Sequence, residues 1–257
     1  MASRSVAMRL RANTTVLVTG STKNLGRAAV LAFAEGGANV IVSGRSDVDR
    51  AEAVATECEK AGGRAIVSMG DMSVPADVER VVADGRAAFG SINVYVANAA
   101  IRPHQAVEKL SYEDWDNVLK VNLSSAFYLA HNIVPMMLEQ GWGRILHTSG
   151  ADGFVGWENR AHNVTAKAGI HGLTKALAKE LGPSGVTANT VVPGAFDTTR
   201  DPVNYPNWNP HVFGTTLPVR RIGRPEEYGA LCRFLGSDES GYISGQAIHI
   251  SGGQVMV

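Results

Sequence analysis

Short runs of β-branched and aliphatic residues alternate along the chain with longer stretches whose apolar positions recur three and four residues apart. The short runs are 14–19 (TTVLVT), 39–43 (NVIVS), 64–68 (RAIVS), 92–97 (INVYVA), 143–149 (GRILHTS), 186–192 (VTANTVV) and 247–250 (AIHI), and they predict seven strands. The longer stretches, 25–37, 49–63, 75–90, 111–138, 162–182 and 225–237, predict crossover helices, several of them closed by glycine. Strict alternation of this kind predicts an α/β fold, a doubly wound seven-stranded parallel sheet with helices on both faces. No proline-rich linker or repeat interrupts it, so 13–257 reads as one domain, preceded by a loose N-terminal tail over 1–12. One long irregular stretch, 193–224, stands out. A segment of that length without its own periodicity predicts a substrate loop, here around 195–222, acting as a lid or binding loop.

Composition narrows the partners. Twenty-four Lys+Arg against 24 Asp+Glu, with 45% hydrophobic and 19% charged residues, describes an ordinary globular protein and argues against a nucleic-acid partner. No run approaches the ~20 apolar residues of a membrane helix, and the first residues lack a signal-peptide core, so no membrane partner and a cytoplasmic location are expected. Cys58 and Cys232 have neither metal-type spacing nor a disulfide framework around them, and they read as packing residues in a chain without a metal site.

The first predicted strand runs directly into TGSTKNLGRA, in which Gly20 and Gly26 bracket a turn that opens a helix. Strand, glycine turn and helix in that order place backbone N–H groups and the positive end of the helix dipole where a pyrophosphate binds. The spacing of Gly20 and Gly26 resembles the TGxxxGxG turn of the short-chain dehydrogenase/reductase family, with Asn24 at the middle glycine; asparagine tolerates the left-handed backbone needed there. The resemblance spans nearly the whole chain. It implies cofactor contacts from Gly20, Ser21, Thr22, Lys23, Asn24, Leu25 and Gly26 in the turn. It further implies them from Asp71 and Met72 after the third strand, from Asn98 and Ala99 in NAA, and from Pro193, Gly194 and Thr198 beside the nicotinamide. ISGQAIHISGG resembles the family's closing strand. At the end of the second strand, Gly44 and Arg45 stand where an acidic residue would select NAD(H), and with Lys23 nearby the expected cofactor is NADP(H).

At the catalytic end the pattern departs from the family. Its lysine corresponds to Lys167 in AKAG, which is also a cofactor contact, and its helix asparagine to Asn122; the tyrosine position then falls on Asn163 and the serine position on Gly150. A carboxamide has no proton to exchange near neutral pH, so Asn163 orients but does not protonate. His162 and Asp152 are the ionisable neighbours that stand as replacements; His162 points about 100° off the Asn163 face of a regular helix, whereas Asp152 shares the face of Gly150 if the backbone stays extended. Arg102, His104, Glu158 and Arg160 give a polar bed, and Trp157, Tyr205, Trp208 and Phe213 offer aromatic walls. Three functions fit. They are hydride transfer between NADP(H) and a small polar carbonyl or alcohol with a non-standard proton donor; a non-redox reaction such as elimination, dehalogenation, isomerisation or carbon–carbon cleavage; and a catalytically silent NADP(H)-binding regulator. The resemblance also implies a homodimer or homotetramer paired through 111–138 and 162–181, with Phe127, Leu129, Leu173 and Leu177 at the interface.

Overall fold

A computed structural model describes residues 10–257. Seven strands form one parallel sheet in the order β3-β2-β1-β4-β5-β6-β7, with β1 at Thr15–Val18, β2 at Asn39–Val42, β3 at Arg64–Val67, β4 at Val94–Ala97, β5 at Gly143–Thr148, β6 at Val186–Pro193 and β7 at Ala247–Ile250. Each lies within, or one residue beyond, a predicted run.

The sheet is covered twice because its central strands are apolar on both faces. In β1, Val16 and Val18 turn to one side and Leu17 to the other. The first side meets Ala29, Val30 and Phe33 of α1 (Asn24–Glu35), Val54 and Cys58 of α2 (Val48–Lys60), and Tyr228, Cys232 and Leu235 near the chain's end. The second meets α3 (Pro75–Phe89) through Val78 and Val81, and the helical region after β4 through Leu129, Ile133 and Met137. Cys58 and Cys232 are packing residues, their thiols pushed up to about 12 by burial.

The strand order reverses beside β1, where β2 leaves on one edge and β4 joins on the other. Ligands of open parallel sheets bind outside the carboxyl ends of the strands at such a switch point. The glycine turn follows β1 there.

Three expectations change. The single helix predicted over 111–138 is divided into α4 (Tyr112–Leu119), a π turn over Lys120–Ser124 and α5 (Ser125–Gln140). Apolar periodicity continues through the π turn, which is why the pattern hid it. The irregular stretch holds an ordered element: beyond the short α6 (Asp152–Val155) and the long α7 (Ala161–Leu181), α8 spans Pro210–Thr216, capped by Asn209, and α9 follows at Pro225–Leu235. Positions 10 and 11, expected to be loose, are held by the fold. Residues 1–9 lie outside the described residues, but Leu10 packs on the core and Arg11 donates through Nε to both carboxylate oxygens of Asp238. Of the four residues expected at a subunit interface, Leu129 belongs wholly to the chain's own core, Leu173 and Leu177 are half-buried against it, and Phe127 is exposed.

Candidate functional site

The turn after β1 is built for close backbone approach. Gly20 takes φ +63°, and a Cβ on Gly26 would stand 2.2 Å from the Gly20 carbonyl oxygen and 2.6 Å from Asn98 Nδ2. Only glycine fits at 26. Asn98 braces the turn by donating from Nδ2 to the carbonyls of Thr19 and Gly20, while Asn98 N–H and Ala99 N–H donate to Thr19 Oγ1. Lys23 precedes α1 without a side-chain cap, which leaves the first-turn N–H groups open to an anion. Asn24 adopts φ +52°, the left-handed angle expected of it. Its carboxamide also accepts from Thr199 N–H (3.0 Å) and donates to Thr199 O (3.4 Å), fastening the turn to the loop after β6. That clasp was not foreseen.

The other expected cofactor residues divide by what their side chains do. Ser21 is buried and serves β2, its N–H donating to Ser43 O and its Oγ accepting from Ser43 N–H. Thr22 packs on Gly44, where a Cβ would meet its methyl at 2.7 Å. Leu25 and Met72 are turned into the two core clusters, so only their backbones face the cleft. Asp71 accepts from Ser73 and lies 4.0 Å from the well-exposed Arg45 guanidinium. Gly194 follows Pro193 at the end of β6, where a Cβ would fall 2.8 Å from Ser251 Cα; Thr198 Oγ1 donates to Phe196 O (3.4 Å).

Beyond Thr148 the backbone does not stay extended; it turns into α6, and this turn, not strand alternation, carries Asp152 into the site. Four side chains meet there. Lys167, on α7, is buried and donates from Nζ to Thr148 O (2.7 Å) at the end of β5; burial brings its pKa down to about 8, against which Asp152 acts weakly. Asn122, presented by the π turn, accepts from Ile101 N–H and donates to Ile101 O and to Asn163 Oδ1 (2.9 Å). Asn163 passes the line on, donating from Nδ2 to Asp152 Oδ2 at 2.6 Å. Asp152 Oδ1 occupies the space over Gly150, where a Cβ would be only 2.5 Å away. A carboxylate therefore stands between Gly150 and Asn163.

His162 does not join them. It is fully buried and its Nδ1 accepts from Asn163 N–H; burial lowers its pKa, against a backbone hydrogen bond with Arg160 and the charge of Asp114 of α4, and neither Lys167 nor Asp152 is among the groups that act on it. Ser149 donates to Lys167 O and contacts His171. In the polar bed, Arg160 is buried beside Asp152 (3.5 Å) and donates to His104 Nε2 and Tyr205 Oη, whereas Glu158 is exposed. With Nε2 accepting, His104 is a neutral ring, in keeping with a pKa lowered by burial and then by Arg160. Trp157 and Tyr205 receive the Arg160 guanidinium on their faces, and Trp208 stacks with Phe213. Arg200, whose guanidinium lies 3.7 Å from the Trp208 ring centre, was not anticipated, because an arginine in an aperiodic loop carries no positional signal.

Comparison with known proteins gives a consistent result. The family model described as Enoyl-(Acyl carrier protein) reductase matches residues 20–254. The chain is 37% identical over 244 residues to a 3-oxoacyl-[acyl-carrier-protein] reductase FabG of Aquifex aeolicus, covering 92% of this chain and 95% of that protein. It is 32% identical to a protein of the same name from Staphylococcus epidermidis, covering 95% and 100%. Among solved structures, one assigned as a short-chain alcohol dehydrogenase from Sinorhizobium meliloti superposes with a TM-score of 0.88 at 27% identity, covering 93% of this chain and 95% of that one.

Proposed function

Because the chain belongs to the short-chain dehydrogenase/reductase family of oxidoreductases, we propose that it interconverts a small polar carbonyl compound and its alcohol with NADP(H), using Asp152 in place of the usual hydroxyl pair. One observation carries this reading: the Asp152 carboxylate fills the space above Gly150 with Oδ1 and bonds Asn163 with Oδ2, so a single ionisable group spans both altered positions.

The residues that would hold the cofactor are the open turn at Gly20–Gly26, Asn98 and Ala99, Lys167, and the segment from Pro193 to Thr198; Lys23 and Arg45 favour a 2′-phosphate where no carboxylate ends β2. Bound there, NADP(H) would supply hydride exchange with a carbonyl carbon or its matching alcohol. The chain's task is the proton on oxygen. Asn163 Nδ2 has two hydrogens; one goes to Asp152, and the second is free to orient a substrate oxygen. Asp152 Oδ1 takes the hydroxyl proton in oxidation and returns it in reduction. Lys167, charged below about pH 8, stabilises negative charge on either oxygen, and Asn122 fixes the amide by holding its Oδ1. Arg160 and the hydrogen-bonded groups around it make the bed polar, which suits a small polar substrate.

Asp152→Asn tests the assignment. It preserves shape while removing the proton acceptor, so turnover, read as the change in nicotinamide absorbance across a carbonyl and alcohol panel, should fall roughly 10²–10⁴-fold while NADPH binding persists. Full turnover in that variant would overturn the role of Asp152, and tight NADPH binding without oxidation by any panel member would overturn the redox reading. Gly150→Ser alone should also lower activity, because its side chain meets Oδ1.

A further inference from the structure

Cations gather on the loop side of the Asp152–Asn163 pair. Arg160, only 6% exposed, reaches Asp152 Oδ2 and bonds Tyr205 Oη (2.5 Å). Beyond Tyr205 lies Arg200, its guanidinium 4.8 Å from the Tyr205 ring centre and 3.7 Å from that of Trp208. An unbroken line of contacts thus runs from Asn163 through Asp152, Arg160 and Tyr205 to Arg200.

Two features of Arg200 need explaining. Its Nε is buried with no hydrogen-bond acceptor among the described residues. Like charge also surrounds it: burial first pulls its pKa down, Tyr205 opposes this, and Arg102 and Arg160 lower it further. Asp201, the next residue, gives no relief, since its carboxylate accepts from Val203 N–H and Asn204 Nδ2. Neither Arg200 nor Arg102 has an ion-pair partner among the described residues, and the carboxylate that Arg160 reaches, Asp152, is already engaged by Asn163 as well. A guanidinium laid flat on an indole keeps its N–H edge for acceptors in its own plane, and two parallel N–H groups match the two oxygens of a carboxylate. Buried donors without acceptors are rare in finished structures unless a ligand completes them.

We propose that Arg200, supported by Arg102 and Arg160 and held by Trp208 and Tyr205, anchors a carboxylate of the substrate, which makes the substrate a small oxo acid or its hydroxy acid. This rests on the oxidoreductase reading for the identity of the reacting group, while the anchor itself is a binding property that can be measured without turnover.

The experiment uses the full chain saturated with NADP+ and three probes, succinate, its uncharged diamide succinamide, and inorganic phosphate, followed by calorimetry. Succinate should bind more tightly than succinamide by about tenfold or more, and Arg200→Met should abolish that preference while leaving succinamide unchanged. Arg200→Lys, which keeps the charge and loses the fork, should fall between the two and guards against a misfolded Met variant. Equal binding of succinate and succinamide, undiminished succinate binding in Arg200→Met, or tighter binding of phosphate than of succinate would each overturn the proposal. Turnover of neutral ketones with no preference for acids would remove the anchor and keep the oxidoreductase; Arg200-dependent succinate binding without NADPH oxidation by any oxo acid would do the reverse.

Discussion

Two arginines at opposite ends of the sheet's strands, Arg144 buried and Arg200 half-buried, are treated differently by the fold. Arg144, at the amino end of β5, is 3% exposed and donates to the carbonyls of Ser237, Gly143 and Gly185; it lies 3.6 Å from Asp238 and stacks on Trp142. Arg200, at the carboxyl end, has aromatic faces but an Nε without an acceptor among the described residues. Lys167 belongs with Arg200: it too sits at the carboxyl end and is buried, with one carbonyl as its hydrogen-bond acceptor. Completed bonding at one end and deficient bonding at the other separate a cation that holds the fold together from cations kept ready for something else.

The contrast is open to measurement. Arg144→Met should cost about 3 kcal/mol in urea unfolding, since three carbonyls lose their donor and Asp238 loses a cation 3.6 Å away. A loss of similar size in Arg200→Met would erase the distinction. Next comes Lys167. Folded, it releases its proton near pH 8; unfolded, near its ordinary 10.5. Between those values the unfolded chain carries the extra proton, so raising the pH favours the folded state, while below about pH 8 the cost of the buried charge persists in full. The stability of the wild type relative to Lys167→Met should therefore rise by about 2 kcal/mol between about pH 8 and about pH 10 and stay level below. A flat difference would return Lys167 to the satisfied class. Arg200→Met should change stability by less than about 1 kcal/mol, because removing an under-bonded cation relieves as much as it costs. Smallest of all is Asn24→Gly, which keeps the left-handed turn and cuts the clasp to Thr199; stopped-flow release of NADPH should quicken by about two- to threefold, the worth of a partly exposed hydrogen-bond pair.

Strands were legible because a parallel sheet buried on both faces needs continuous apolar runs, and nothing else in the chain looks like VLV or VIV bounded by turns. The glycine turn was legible for a similar reason, since the crowding at Gly26 admits no other residue. Elsewhere a residue was legible without the cause of its position. Asp152 arrives by a helical turn and not along an extended strand, and Arg160 and Tyr205 meet only because the loop after β6 folds over the sheet. α8 had a signal that the loop assignment passed over, an Asn-Pro pair at 209–210 that caps and starts a helix. Asn24 and Thr199, 175 positions apart, had none, because their pairing depends on tertiary approach.

The glycine at 150 couples two positions of the chain. With Asp152 Oδ1 seated 2.5 Å from where a side chain would begin, any larger residue at 150 displaces that carboxylate, so what 150 tolerates depends on what stands at 152, and the two positions vary as a pair.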